Sequence, residues 1–379
     1  MLWSFCSFSI FQWALLAILF VVFLVQIYYY LWYFTGVLLK QKNHNNQPET
    51  ASFPPVSVVI CARNEEENLR KFLPKIMEQD YPKFEVVLVD DASEDNTDIL
   101  LNRFKEQYQN LYVTRIPDKI IVASRKKLAL TVGIKAAKNE VLLMTDADCY
   151  PTSNQWIKEM VSLLEDKDFV LGYGDYECHK SFISRLINYD TLFIAMQYFG
   201  FAYRGKPYMA IGRNLMYRKS VFFENNGFAG HLHIPSGDDD LMVNKAANSK
   251  NTAIACSCRS KTMSIPEPTF SKWIAQKSRH LKASTLYTFS SRMRIGGEVF
   301  SRGLFYALCV LSAIFGNSFL IFAASLMFLL RYIVQLIVIN NTSKSLESRS
   351  FFLFLIFADI LLPIISLWLI AKNKWSRKR

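Results

Sequence analysis

Three long apolar runs bracket this chain and limit what it can fold into. Ile10 to Leu39 reads IFQWALLAILFVVFLVQIYYYLWYFTGVLL and carries no charged side chain. A helix crosses a bilayer with roughly 20 apolar residues, so this run is long enough to span one. Its first following charge is Lys40. A secretory signal would instead begin with a basic segment and have a shorter apolar core, so the run reads as a retained anchor. Trp13, Tyr28, Tyr29, Tyr30, Trp32 and Tyr33 suit the two membrane interfaces. Gly303 to Ile339 is apolar except for Arg331, and Phe351 to Ala371 forms the last run. The former fits one span plus an interfacial helix, or two spans turning near Gly316-Asn317. Arg331 is expected to snorkel or to lie in the interface.

These runs explain a composition that is 51% hydrophobic and 15% aromatic. The formal net charge is +12. The basic residues flank the apolar runs: Lys40 and Lys42, Lys282 to Arg302, and the tail from Lys372 to Arg379. By the positive-inside tendency, the middle of the chain and the tail both face the cytoplasm of a multi-pass inner-membrane protein. That arrangement fits two C-terminal spans better than three. The basic excess is thereby assigned to membrane flanks, and no aromatic-basic module for reading nucleic acid is present. Seven cysteines are dispersed, and Cys256-Ser-Cys258 lacks the second pair and the spacing of a zinc site. Free thiols in a reducing compartment are expected.

The organisation predicted is an anchor over residues 1–40, a polar linker over 41–54 and a soluble domain over 55–285. An interfacial basic segment follows over 286–302, then a membrane region over 303–371 and a basic tail over 372–379. Within the domain, β-branched runs alternate with helical periodicity. Val56–Cys61 reads as a buried strand, and Asn64 is placed to cap a helix whose stripe is Leu69, Phe72, Leu73, Ile76 and Met77. Phe84–Val89 is a second strand, followed by a helix from about Thr97 to Gln107 and a third strand over Leu111–Arg115. Leu128 to Lys138 is helical, with Leu128, Leu130, Ile134 and Ala137 on one face, and leads into a strand from Val141 to Thr145. Alternation of this kind predicts an α/β fold with a doubly wound parallel sheet. Neither GxGxxG nor a Walker loop is present, which weighs against ordinary dinucleotide and P-loop sites.

Three acidic clusters stand at strand ends or in polar loops: Asp90-Asp91, Asp146 with Asp148, and Asp238-Asp239-Asp240. Singly, each is an ordinary turn or cap. The carboxyl edge of an open sheet is where ligands bind, and paired hard oxygens there suit a divalent cation holding a phosphate. His231 and His233 precede the third cluster, and two loop histidines are more often structural than metal-ligating. The aromatic stretch Phe193 to Tyr208 is assigned to the membrane surface or to a substrate cleft.

In order, these clusters resemble the inverting, membrane-anchored GT-A glycosyltransferases of family 2. The matching segments are Val58–Glu66, Val87–Ser93 with Asp95 and Thr97, Lys127–Ile134, Thr145–Asp148, Ser236–Leu241 and Gln276–His280, covering about residues 54 to 285. The resemblance implies a GT-A domain, Rossmann-like, flanked by transmembrane helices. It implies a nucleotide site formed by Arg63, Glu65, Asp90, Asp91, Lys127, Asp146, Gln276 and Arg279. It implies a metal pair, Asp146 and Asp148, for Mg²⁺ or Mn²⁺, and a catalytic base at Asp238 or Asp239. Gly237 stands where the family often has Glu, and His280 replaces the Trp of its Q-x-x-R-W segment. Gly212–Tyr217 is similar to the family's acceptor-side segment, with a glycine that lets substrate approach the backbone.

The chemistry implied is transfer of a sugar from a nucleotide-sugar, expected to be a UDP-sugar, to a lipid-linked or growing glycan acceptor with inversion. Two alternatives remain at this point: a short processive polysaccharide synthase, which His280 and the few spans disfavour, and a non-catalytic membrane scaffold retaining a nucleotide-binding domain. A glycoside hydrolase also uses paired carboxylates, but needs no metal.

Overall fold

The computed structural model describes residues 9–44, 53–120, 122–234 and 236–376. The centre of the expected linker, Cys6, Pro235 and the last three tail residues lie outside them. The N-terminal run forms α1 (Ile10–Tyr28), a π-helical stretch (Tyr29–Phe34) and α2 (Gly36–His44). The alternating region follows as β1 (Val56–Ala62), α3 (Glu66–Met77), β2 (Phe84–Asp90), α4 (Thr97–Gln107), β3 (Leu111–Arg115), α5 (Arg125–Ala136) and β4 (Val141–Asp146). Next come β5 (Cys149–Pro151), α6 (Trp156–Val161), β6 (Phe169–Gly172), β7 (Gly174–Tyr176), α7 (Phe182–Tyr203) and β8 (Leu215–Arg218). The domain closes with α8 (Lys219–Glu224), α9 (Asp240–Ala246), β9 (Thr252–Ala255), β10 (Thr262–Ser264) and α10 (Phe270–Ser284). Three long helices end the chain: α11 (Phe289–Phe315), α12 (Ser318–Ser345) and α13 (Leu353–Ser376).

The main sheet has seven strands in the order β3-β2-β1-β4-β8-β6-β9. The first four are parallel, as their crossover helices require. The expectation of a fully parallel sheet fails beyond β4, because β8 runs antiparallel to both β4 and β6. A small second sheet, β5-β10-β7, stands beside the end of β4. Period-two alternation divides the core. Val58 and Ile60 pack on one face with Leu69 and Leu73 of α3 and with Trp156 and Met160 of α6. Val59, Val87, Leu130 and Ile134 pack on the other, in a cluster that continues into α7 and α13. Asn64 is not the expected cap. It takes φ 56°, its side chain accepts the Glu94 amide at 2.8 Å, and Glu65 holds the cap position of α3.

Among the described residues, four helical segments are long and apolar enough to cross a membrane: Ile10–Gln41, Phe289–Phe315, Ser318–Ser345 and Leu353–Asn373. The run from Gly303 to Ile339 therefore takes the two-helix form, broken at Gly316-Asn317, where the Asn317 side chain accepts the Leu320 amide and starts α12. The basic segment over 286–302 is not separate, since most of it is the first half of α11. Leu19 of α1, Phe305 and Leu308 of α11, and Leu320 of α12 pack together. Arg331 neither snorkels nor lies exposed. It is buried and pairs at 2.9 Å with Asp359 of α13, which Arg302 of α11 also meets at 3.2 Å. Two buried cations thus share a buried carboxylate, with Glu298 pairing Arg302 at 3.2 Å.

The aromatic stretch around Phe193 is not a surface but the seat of the anchor. Phe34 lies 5.3 Å from Phe193, and Tyr33 lies 4.6 Å from Phe201, both edge to face. This crossing is close because Gly36 and Gly200 meet. A Cβ on Gly200 would fall 2.1 Å from the Tyr33 carbonyl oxygen. Backbone must then shift, and overpacking of this kind costs about 1–3 kcal/mol. Gly200→Ala is expected to lower the melting temperature in detergent, whereas Gly303→Ala, which meets nothing within 4 Å, should not.

Candidate active site

The parallel strands bring the acidic clusters to one edge. In the sheet register, Asp90 of β2 stands opposite Ala62 and Asp146 of β4 opposite Cys61, so carboxylates flank the end of β1 on both sides. Asp90 is buried, accepts the Ser93 amide at 3.1 Å and lies 3.7 Å from Arg115. Asp91 is buried too and accepts from Arg125 Nε at 2.9 Å. Arg125 Nη1 also donates to the carbonyls of Asp118 and Ile120, tying the β3–α5 loop to this edge. Arg63 and Glu65 occupy the β1–α3 loop on the same edge. Arg63 is 3.9 Å from Glu94, and Glu65 accepts from Asn68 at 2.6 Å. Burial raises the Glu65 carboxyl, Asn68 offsets part of this, and Asp148 and Asp146 add to the rise.

Asp146 ends β4 and Asp148 precedes β5. Donors fix Asp148 from two sides: Ser264 Oγ of β10 at 3.1 Å and the Cys149 thiol at 3.3 Å. Ligand atoms of Asp146, Asp148 and Cys149 all lie within 4.8 Å of one another. Burial first, and the Asp146 charge second, raise the Asp148 carboxyl above its ordinary value. Two converging carboxylates that repel each other in a partly buried site fit a hard divalent cation such as Mg²⁺ or Mn²⁺. Among the described residues, His231 and His233 belong to no such cluster.

The third acidic cluster folds back onto this pair. Lys126 Nζ lies 3.1 Å from Asp146 and 3.3 Å from Asp238, so one ammonium joins the second and third clusters. These residues line a pocket with Gly212, Tyr217 and Asp239. The neighbouring carboxylates of the acidic loop have different surroundings. Burial alone would raise Asp238, but the Lys126 ammonium outweighs it and holds the group below its ordinary value. Asp239 is pushed well up by burial and by the charges of Asp238 and Asp240. It is also engaged structurally, accepting the Gly212 amide and capping α9 through the Asp240 amide. Asp240 accepts from the Tyr287 hydroxyl at 2.6 Å, and burial brings its carboxyl to about 6. Gly212, expected to let substrate approach the backbone, instead receives Asp239. Gly237 has φ +86°, and a Cβ there would lie 2.6 Å from Leu241 Cδ1, so this loop conformation excludes the Glu common in the family.

If Asp238 must be ionised to act, activity falls as pH drops through its pKa. Lys126→Ala removes the cation that keeps this pKa low, so burial prevails and the acid limb of kcat/KM moves to higher pH. A pH–rate profile of the variant checks the direction of that shift.

Lys127 requires a correction. Its ammonium is buried and donates to the carbonyls of His231 at 2.6 Å and Ile234 at 3.0 Å, so it braces the approach to the acidic loop and does not face the nucleotide edge. Burial lowers its pKa. The helix phase explains this, because Lys127 lies on the buried face with Leu130 and Ile134 while Lys126 lies off it. A signal for the missed pair Arg125 and Lys126 was available: three cations open α5, where the helix dipole disfavours positive charge. Gln276 donates to the Tyr176 hydroxyl at 3.3 Å, and Tyr176 stacks on Arg213 at 4.2 Å, a third cation not singled out from the sequence. Arg279 is exposed, while its carbonyl accepts from Ser236 Oγ at 2.8 Å and joins α10 to the acidic loop.

Residues 57–224 match the sequence model of glycosyl transferase family 2. The chain carries a family 2 glycosyltransferase domain. It is 32% identical over 133 residues to the glycosyltransferase AglE of Haloferax volcanii, covering 34% of this chain and 41% of that protein. It is 28% identical over 121 residues to a beta-monoglucosyldiacylglycerol synthase of Trichormus variabilis, covering 31% of this chain and 25% of that protein. The chain thus spans less than half the length of these relatives. In fold, the glycosyltransferase domain and its helices are similar to a mannosyltransferase of Pyrobaculum calidifontis solved with GDP-Man and Mn²⁺. That likeness has a TM-score of 0.62 at 18% identity, over 96% of this chain and 99% of the other.

Proposed function

We propose that this protein transfers a sugar from a nucleotide-sugar to a lipid-linked or growing glycan acceptor at a membrane, with inversion at the anomeric carbon. The observation that carries this is the bridge of Lys126 to Asp146 and Asp238. It puts a carboxylate suited to the diphosphate side and one suited to proton removal in the same pocket. Asp90, Asp91, Arg63 and Glu65 form the base and ribose edge, and Asp146 and Asp148 would hold Mg²⁺ or Mn²⁺. Such an ion neutralises charge developing on a diphosphate leaving group. Asp238, held ionised by Lys126, accepts the proton of the attacking hydroxyl, and attack opposite the leaving group inverts the centre. Asp239 shapes the acceptor side through Gly212, and the exposed Arg279 on α10 supplies a further phosphate contact. The matched relative named as a beta-monoglucosyldiacylglycerol synthase supports a lipid acceptor. Anchoring enzyme and acceptor in one surface raises their effective concentration. The domain is placed on the cytoplasmic face, where its basic flanks belong.

The test is transfer of radiolabelled sugar from a panel of nucleotide-sugars, UDP-sugars first, into the lipid phase of native membranes. One added sugar with inverted configuration is the expected product. Label that enters only water-soluble free sugar contradicts the proposal.

A further inference from the structure

Helix α13 is apolar enough to cross a membrane, yet both of its ends rest on the catalytic domain. It has 24 residues, which at about 1.5 Å per residue span roughly 36 Å. A crossing helix of that length would carry its far end away from the domain by about the thickness of the bilayer core, roughly 30 Å. At the start of α13, Phe354 and Phe357 each lie 5.6 Å from Phe182, which opens α7. Near its other end, Asn373 Oδ1 accepts from Ser278 Oγ of α10 at 3.0 Å. Helix α10 is itself bound to the acidic loop through the carbonyl of Arg279. Between these points Leu362, Ile365 and Leu369 are buried in the same apolar cluster as Trp273 of α10. Asp359 is held by Arg302 and Arg331. Helices α1, α11 and α12, by contrast, pack on one another.

The opposite face of α13 is exposed among the described residues. Leu353, Ile360, Ile364, Leu367 and Trp368 are 38–81% exposed and lie at helical spacing, forming one stripe. At its end Lys372 lies 5.1 Å over the Trp368 ring, and Lys374, Arg377, Lys378 and Arg379 follow in sequence. An apolar stripe that closes in aromatic and basic residues fits the boundary between acyl chains and anionic headgroups.

We propose that α13 lies in the plane of the bilayer, seated in the leaflet next to the catalytic domain, with a phospholipid surface as the partner of its exposed stripe. The chain then crosses three times, through α1, α11 and α12, and its basic tail ends on the same side as the catalytic domain. The buried Arg302–Asp359–Arg331 cluster tethers this helix to the crossing bundle. The proposal rests on the membrane reading above, and the test separates the two. The full chain is made with one epitope before Met1 and another after Arg379, in sealed vesicles whose outer face carries the catalytic domain, and is treated with protease. Loss of the Arg379 epitope together with the domain, with the Met1 epitope retained, is expected. Retention of both epitopes while the domain is digested overturns the in-plane helix. Loss of both in sealed vesicles overturns the membrane reading itself.

Discussion

Asp238→Asn should lower turnover by roughly 10²–10⁴-fold, the usual worth of a positioned general base, while nucleotide affinity stays within a few-fold. The expectation follows from environment. Asp238 is ionised beside the Lys126 ammonium at 3.3 Å and lines the pocket with Asp146. Asp239, one residue on, accepts the Gly212 amide and caps α9, and burial with two like charges disfavours its ionised form. Neighbouring carboxylates whose surroundings separate their proton affinities take separate roles. Asp239→Asn should therefore act mainly on folding, lowering the melting temperature by disturbing a buried acceptor. Single-turnover kinetics with both variants, alongside nucleotide titration and thermal denaturation, tests the division. Full transfer by Asp238→Asn with loss in Asp239→Asn would reverse it.

Asp148→Ala should abolish metal-dependent nucleotide binding. Asp148 is the better oriented of the metal pair, held by Ser264 Oγ at 3.1 Å and by the Cys149 thiol. Loss of an outer-shell partner typically weakens metal affinity by roughly 10–100-fold, so Ser264→Ala should lose affinity within that range and Asp148→Ala should lose more. Calorimetric titration of nucleotide with and without Mn²⁺ measures both. Removing Asp148 should leave any metal-free binding to Asp90 and Asp91 in place, because those residues hold a separate part of the edge with their own partners, Arg115 and Arg125.

Much of the fold was legible because it rests on local pattern. Apolar runs became β1, β2 and β4, the last two ending in aspartate, and the stripe of α3 is buried as its spacing implies. The antiparallel β8 was not legible, since Leu215–Arg218 is short and its direction is set by distant partners. The acidic residues of the site lie on strand ends and in a loop, where they stand out against apolar sequence. Its cations do not, because adjacent lysines differ only by helix phase: Lys126 reaches the carboxylates and Lys127 the backbone of the acidic loop. Asp359 was hidden for the opposite reason. One carboxylate in an apolar run has meaning only when Arg302 and Arg331 come from two other helices to meet it.

The central claim is that this edge turns over a nucleotide-sugar with a divalent cation bound at Asp146 and Asp148. The most direct measurement is release of nucleoside diphosphate from a panel of nucleotide-sugars by the purified full-length protein in lipid nanodiscs, with Mn²⁺, with Mg²⁺ and with chelator. Release with one donor class that requires the cation, and that falls by at least about 100-fold in Asp238→Asn, is the predicted result. No release from any donor with either ion, or release unaffected by chelation and by Asp238→Asn, would contradict it.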